Sequence, residues 1–256
     1  MVAVTGAARG IGLAISRELA HRGARVSMGD LDPGLVRSAG AAIAGTAHHG
    51  LDVTDTASFR RFLHATEDAL GPLDVLVNNA GVMPTGRLVD EDDAVSRHAV
   101  EVNFGGVVTG TRLALEVMLP RGRGQVVNLA SMLGELATPG VATYCGTKFA
   151  VAGFTDAVRR EAHGTGVHVT AVLPSFTDSA MTDGIRGVRG FRNLTPERVA
   201  GRVADAVERP RPKVYVPRSA GVVLQLQRLL PAAAVDALMR PLRLDRIFVE
   251  PRGARR

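Results

Sequence analysis

Apolar residues gather along this chain in two alternating rhythms, short runs and 3.6-residue stripes. Val2 to Thr5 is an apolar run that ends at a glycine cluster, after which Ile11, Ala14, Ile15 and Leu19 repeat at helical spacing. Residues 24–28 predict a second strand, 35–43 a helix, and 46–53 a third strand ending in Leu51-Asp52-Val53. Phe59, Phe62, Leu63 and Leu70 mark a helix stopped by Gly71-Pro72, and 73–77 predicts a fourth strand closed by Asn78-Asn79-Ala80-Gly81. A long helix over 94–118 leads to a strand at 125–129, and a helix over 144–163 leads to a strand at 167–173. Such alternation predicts an α/β fold with a doubly wound parallel sheet of about seven strands flanked by helices. With no internal repeat or low-complexity linker, the expectation is a single domain over 1–256. After Pro174 the pattern loosens. Residues 177–198 read as a substrate lid carrying Gly184, Gly187 and Gly190, within which Thr195-Pro196-Glu197 opens a helix with a cap and an N1 proline. Residues 214–216 predict a last strand, and 219–248 a C-terminal extension of two amphipathic helices split at Pro231.

Composition narrows the class. With 46% hydrophobic and 22% charged residues there is ample material for a core, and 29 glycines without a three-residue period serve turns and close backbone approaches. A single cysteine, Cys145, rules out an intrachain disulfide or a cysteine-cluster metal site, and it reads as packing, since no base stands near it in the pattern. His48-His49 lack a ligand set and read as loop residues, so no metal is expected. Together with an N-terminus that lacks a basic leader and long apolar stretch, the lone cysteine predicts a cytoplasmic protein. The net charge of +6 raises nucleic acid or anionic lipid as partners, but the cations are spread along the chain and aromatics are only 4%, which argues against nucleic acid. The apolar stretch 219–238 is broken by Gln225, Gln227, Arg228, Pro231 and Asp236, too often for a bilayer span. That tail, with Arg218, Arg228, Arg240, Arg243 and Arg246, reads in order of preference as a substrate cover, a subunit contact or a peripheral membrane helix. Of 31 cations, 29 are arginine, so Lys148 and Lys213 stand out as places where a compact, titratable charge is needed.

Thr5-Gly6-Ala7-Ala8-Arg9-Gly10-Ile11-Gly12 lies between the first strand and the first helix, where free N–H groups and the helix dipole suit a pyrophosphate. With this GxxxGxG spacing the chain resembles the short-chain dehydrogenase/reductase family, whose fingerprint is TGxxxGxG, and the resemblance runs over almost the whole length. It implies a Rossmann fold and a nicotinamide dinucleotide. Asp30 closes the second strand 18 residues after Gly12, where a carboxylate accepts hydrogen bonds from an adenosine ribose. A 2′-phosphate about 4 Å from it would be repelled by roughly 1 kcal/mol even in bulk-water dielectric, which favours NAD over NADP. Arg9, a cation inside the turn, is the counterweight toward NADP, and Asp32 reads as a helix-start charge before Pro33. Asp52-Val53 resembles the family's adenine contact, with an ordinary helix-capping aspartate as the alternative. Asn78-Asn79-Ala80-Gly81 matches the family's NNAG element, which steadies the sheet and lines the cofactor with Asn79, Ala80 and Gly81.

Tyr144 and Lys148 stand at i and i+4, on one face of a helix, where a cation can stabilise a phenolate. Ser131, thirteen residues before Tyr144, ends the fifth strand, and that spacing is similar to the family's serine and tyrosine. The resemblance implies that Tyr144 exchanges a proton with the substrate oxygen, Ser131 hydrogen-bonds that oxygen, and Lys148 lowers the phenol pKa and grips the ribose. It also implies that Asn103, in Val102-Asn103-Phe104-Gly105-Gly106, holds a water beside the lysine; the alternative is a polar residue at a glycine kink. The chain departs from the family after the sixth strand, where Pro174-Ser175 stands for Pro-Gly and Ser179 for a threonine near the carboxamide. Met132, Leu133, Leu136, Val141 and Met181 read as an apolar pocket wall, so the expected substrate is a small hydrophobic alcohol or ketone. A homodimer or homotetramer through the helices at 94–118 and 144–163 follows from the resemblance. The competing function is a dinucleotide-binding sensor or scaffold, which would have no need of a proton-relay tyrosine.

Overall fold

The computed structural model describes residues 1–182, 193–227, 229–240 and 248. Seven strands, β1 (Val2–Thr5), β2 (Val26–Asp30), β3 (Thr46–Gly50), β4 (Val75–Asn78), β5 (Gly124–Leu129), β6 (Val167–Pro174) and β7 (Lys213–Val216), form one sheet in the order β3-β2-β1-β4-β5-β6-β7. Every neighbouring pair is parallel. The strand order reverses between β1 and β4, and a crevice opens at their carboxyl ends, the place where sheets of this type take ligands.

Alternation along each strand divides the core. Val4, Met28, Val77, Val127 and Val172 face one side, under α1 (Gly10–His21), α2 (Pro33–Gly40) and α7 (Pro196–Glu208). Ala3, Leu76, Val126 and Val169 face the other, with α3 (Thr56–Leu70), α5 (Gly106–Met118) and α6 (Ala142–Glu161). Strands apolar on both faces are what a parallel sheet between two helical layers requires. Aspartates set the helix starts: Asp32 accepts the N–H groups of Gly34 and Leu35 below α2, and Asp55 those of Ala57 and Ser58 below α3. Asp32 is thus a cap.

Several elements differ from the sequence pattern. The predicted 94–118 helix is α4 (Asp93–Val100), a π-helical turn at Glu101–Gly105, and α5. His48 and His49 lie within β3, opposite Met28 and Gly29, and not in a loop. Of the predicted lid, residues 183–192 lie outside the described residues; Ala180–Thr182 forms a 3-10 turn, Thr177 pairs with Leu194 in an isolated bridge, and 196–198 already belong to α7. Thr195 caps α7 through the N–H of Arg198. The extension contains α8 (Arg218–Gln227) and α9 (Ala232–Met239), separated at Pro231 as the pattern predicted, while 228, 241–247 and 249–256 lie outside the described residues. Among the described residues no helix is long and apolar enough to cross a membrane.

Gly110 of α5 marks a tight fit over the sheet: a Cβ there would lie 2.5 Å from Phe59 Cζ and 2.5 Å from Asn78 Oδ1. Gly110→Ala should therefore cost about 2 kcal/mol through overpacking and lower the thermal midpoint by several degrees. An unchanged midpoint in a thermal melt would contradict this packing.

Candidate active site

The turn after β1 is built to bring main chain close to a ligand. Gly6 and Gly10 have φ of +62° and +54°, a region that favours glycine. At Gly12 an added Cβ would lie 2.1 Å from the Gly6 carbonyl oxygen and 2.5 Å from Asn79 Nδ2, so only glycine lets α1 start this near the turn. Asn79 holds the turn from the β4 side, donating from Nδ2 to the carbonyls of Thr5 (2.9 Å) and Gly6 (3.0 Å). Thr5 Oγ1 in return accepts the N–H groups of Asn79 and Ala80, both at 3.0 Å. The open N–H groups at the start of α1 thereby face the crevice, which suits an anionic group.

Asp30 stands at the end of β2, buried at 7% exposure, with Oδ2 accepting the Ala8 N–H at 3.0 Å. It lines the crevice with Arg9 and with Asp52 and Val53. Asp52 does not cap a helix. Its carboxylate accepts the N–H and hydroxyl of Thr54, and Asp55 caps α3 instead.

At the other end Ser131, Tyr144 and Lys148 meet. Ser131 follows β5 beside the Tyr144 phenol, and its Oγ accepts the Leu133 N–H at 3.1 Å. Lys148 Nζ sits 5.7 Å from the centre of the tyrosine ring and donates to the Leu129 carbonyl at 2.8 Å. Burial decides both titrations. It pushes the Tyr144 phenol up to about 12, with the Ser131 hydroxyl pulling the other way. The same burial pulls Lys148 down to about 8. The resemblance led to a phenol lowered by the lysine; here desolvation outweighs any such effect, and the amine is turned to a carbonyl.

Asn103 lies in the π-helical turn, fully buried. Its Oδ1 accepts the Val82 N–H and its Nδ2 donates to the Val82 carbonyl, both at 2.8 Å, with Thr147 Oγ1 at 3.1 Å. The extra residue of the π turn aims this side chain at the segment after β4. Asn103 does not line the cavity; it fixes the main chain beside it.

One cavity of about 690 Å³ joins the two ends. Its walls include Gly6, Gly10, Ile11, Gly12, Asn79, Ala80 and Gly81 at the glycine turn, Pro174 and Ser179 beyond β6, and Ser131, Tyr144 and Lys148. Ser175 is no obstacle, since its N–H bonds the Val216 carbonyl at 2.8 Å. Met132, Leu133, Leu136 and Met181 line the apolar end, whereas Val141 is packed behind it with Cys145, whose thiol is raised by burial. Residues the sequence reading missed also line it: Leu31 and Leu51 with Asp30 and Asp52, and Val82, Met83, Thr138 and Phe176 elsewhere along the wall. Ala220, Val223, Leu224 and Gln227 of α8 close the apolar end. Apolar spacing in the 219–248 stretch was the only signal for this last group.

The residues fit a nicotinamide dinucleotide. The cradle at Gly6 and Gly12 is one a Cβ would fill, and the first residues of α1 and the Asp30 carboxylate line one crevice, donors that suit a phosphate beside an acceptor that suits a ribose.

Burying Lys148 has a cost that pH reveals. Below about pH 8 the lysine is charged in both folded and unfolded chains, so the full desolvation penalty is carried. Between about 8 and the ordinary 10.5 the unfolded chain holds more protons, so stability rises with pH. Lys148→Met should then raise unfolding free energy at pH 7 by about 1–2 kcal/mol, after allowing for the lost bond to Leu129, and the gain should shrink toward pH 10. A variant less stable than wild type in denaturant melts at pH 7 would contradict this.

Comparison with known proteins places this geometry. The family described as short chain dehydrogenase matches residues 1–189. The 2-(S)-hydroxypropyl-CoM dehydrogenase 3 of Xanthobacter autotrophicus is 36% identical over 209 residues, covering 80% of each chain. The 3-alpha-(or 20-beta)-hydroxysteroid dehydrogenase of Mycobacterium tuberculosis is 32% identical over 83% of this chain and 80% of its own. The probable oxidoreductase EphD of Mycobacterium tuberculosis is 31% identical over 91% of this chain, which spans only 43% of that relative's length. With a matching glycine turn, a seven-stranded parallel sheet and relatives above 30% identity, the chain belongs to the short-chain dehydrogenase family.

Proposed function

We propose that this protein transfers a hydride between a nicotinamide dinucleotide, NAD in preference to NADP, and a hydrophobic secondary alcohol or its ketone. The observation that carries the reading is one cavity that holds Ser131, Tyr144 and Lys148 between the glycine turn and an apolar wall. Bound nicotinamide supplies the hydride chemistry. Gly6, Gly10, Ile11 and Gly12 would hold its pyrophosphate, Asp30 the adenosine ribose, Asp52 and Val53 the adenine, and Asn79, Ala80, Gly81, Pro174 and Ser179 the rest of the dinucleotide. Lys148 would hold the second ribose.

The protein's own part is proton handling. Ser131 hydrogen-bonds the substrate oxygen and fixes its distance from Tyr144. A phenol held near 12 is protonated at neutral pH, so Tyr144 donates its proton to the carbonyl oxygen during reduction; for oxidation the phenol first releases its proton to solvent, and the phenolate then takes the hydroxyl proton. Charged Lys148 stabilises the phenolate left behind. Asn103 acts as a positioning residue by holding Val82. Asp30 favours NAD because a 2′-phosphate would meet a carboxylate. Relatives named for hydroxysteroid and hydroxypropyl-CoM substrates support a hydroxyl-bearing substrate, and the largely apolar wall supports a hydrophobic one. A free, buried Cys145 supports a cytoplasmic setting. Exposed Val95, Val100, Val117 and Phe149 on α4, α5 and α6 support a homodimer or homotetramer through those helices.

Initial rates with NAD and NADP across a panel of hydrophobic secondary alcohols test the reading. Tyr144→Phe should bind cofactor as wild type does but lose about 10²-fold or more in turnover, and Asp30→Asn should weaken the NAD preference by about fivefold. Undiminished turnover by Tyr144→Phe would overturn the assignment. Oxidation, which needs the phenolate, should quicken as pH rises toward about 8 and gain no further once Lys148 loses its charge, while reduction should fall above about pH 8. Parallel pH profiles for the two directions would contradict the proton path.

A further inference from the structure

The chain has only two lysines and two tyrosines. One of each forms the catalytic pair; the other two, Lys213 and Tyr215, stand two residues apart on β7 and so share one face of the sheet. Both point to the same carboxylate. Lys213 Nζ lies 2.9 Å from Glu135 Oε1, and the Tyr215 hydroxyl donates to Glu135 at 3.0 and 3.2 Å. The Glu135 side chain is 1% exposed, an uncommon place for a carboxylate, four residues after Ser131.

We infer that Glu135, Lys213 and Tyr215 form a positioning cluster that sets the width of the substrate end of the cavity and thereby its specificity. The inference rests on the hydride-transfer reading and deepens it. Glu135 stands where three parts of that end meet. Its own segment carries Met132, Leu133 and Leu136 of the apolar wall, and at Gly134 it presses so closely on α6 that an added Cβ would lie 2.6 Å from the Lys148 carbonyl oxygen. Its main-chain oxygen accepts a hydrogen bond from Gln227 Nε2 of α8 at 3.1 Å. Its carboxylate orients the Tyr215 ring, and α8 closes onto that ring at Gly221, where a Cβ would lie 2.5 Å from Tyr215 Cδ2.

The consequence is geometric. Ser131 is fixed by β5, but the wall facing it comes from α8, which lies about ninety residues later in the chain. Glu135 ties the two together, so the gap between the catalytic serine and Val223 or Leu224 is held by this carboxylate. A compact ammonium reaches one carboxylate oxygen at 2.9 Å while the phenol donates to both. Among the described residues none of the cluster's hydrogen bonds runs to the turn after β1, so its effect falls on the substrate end first.

The test uses the full-length chain and three variants: Glu135→Gln, Lys213→Met and the double variant. Removing one partner of a buried pair leaves an uncompensated charge and risks unfolding, whereas the double variant removes both charges together and keeps the test open. Two readouts are taken. Hydrogen–deuterium exchange should quicken in 132–136 and 218–227 while 6–12 and 75–81 keep wild-type protection. With the alcohol from the panel that wild type turns over best, its KM should rise by about fivefold or more, with kcat and the KM for NAD within about twofold. Unchanged exchange, exchange that quickens throughout the fold, or a KM for NAD that rises in step with that for alcohol would overturn the positioning role. Absence of turnover by wild type with every alcohol would count against hydride transfer itself, and the exchange pattern would still decide this inference.

Discussion

The site depends on how closely the chain passes itself between β1 and α1. The Gly6 carbonyl, the first turn of α1 and the Asn79 amide occupy a space that no side chain at position 12 could share. Two hydrogen bonds from Asn79 and two into Thr5 then tie the ends of β1 and β4, the strands on either side of the switch point. Because the sheet runs one way, every strand delivers its last residue to that same edge. Asp30 arrives there from β2, Asn79 after β4, Ser131 after β5 and Pro174 from β6. The crevice is thus a property of topology, and the glycine contact keeps it open to main-chain N–H groups.

Burial then gives those residues their chemistry. Tyr144 and Lys148 lie under a roof made by the 132–136 segment and α8, and desolvation moves their titrations in opposite directions, about 12 for the phenol and about 8 for the amine. A neutral phenol beside an easily discharged ammonium is a poor arrangement for stability and a useful one for moving a proton. The same roof encloses an apolar space. Polar recognition at one end and apolar enclosure at the other therefore share one set of walls, and the molecule has no separate substrate domain among its described residues.

Legibility in the sequence followed locality. The glycine turn, the Tyr144–Lys148 pair and the strand alternation are patterns within a few residues, and Val4, Ala3, Leu76 and Val77 sort to their sheet faces as period-two alternation requires. Asp30 was legible because a strand end fixes where a carboxylate emerges. The π turn at Glu101–Gly105 was not legible, since one extra residue in a helical turn leaves the apolar spacing on either side nearly intact. Nor was Glu135, whose partners are 78 and 80 residues away and whose neighbours carry no polar pattern. Lys213 was noticed for its rarity, without its partner. The cap at Asp55 settles the alternative reading of Asp52 as a capping residue: two aspartates three apart compete for one helix start, and main-chain direction decides.

Hydride transfer is the claim on which the rest turns, and label transfer tests it most directly. Dinucleotide carrying deuterium at C4 of the reduced nicotinamide, prepared separately on each face, would be incubated with a hydrophobic ketone and the product alcohol examined by mass spectrometry. The account predicts one deuterium on the carbinol carbon from one face and none from the other, with the NAD form the better donor. Unlabelled alcohol from both, or no alcohol although the dinucleotide binds, would contradict it.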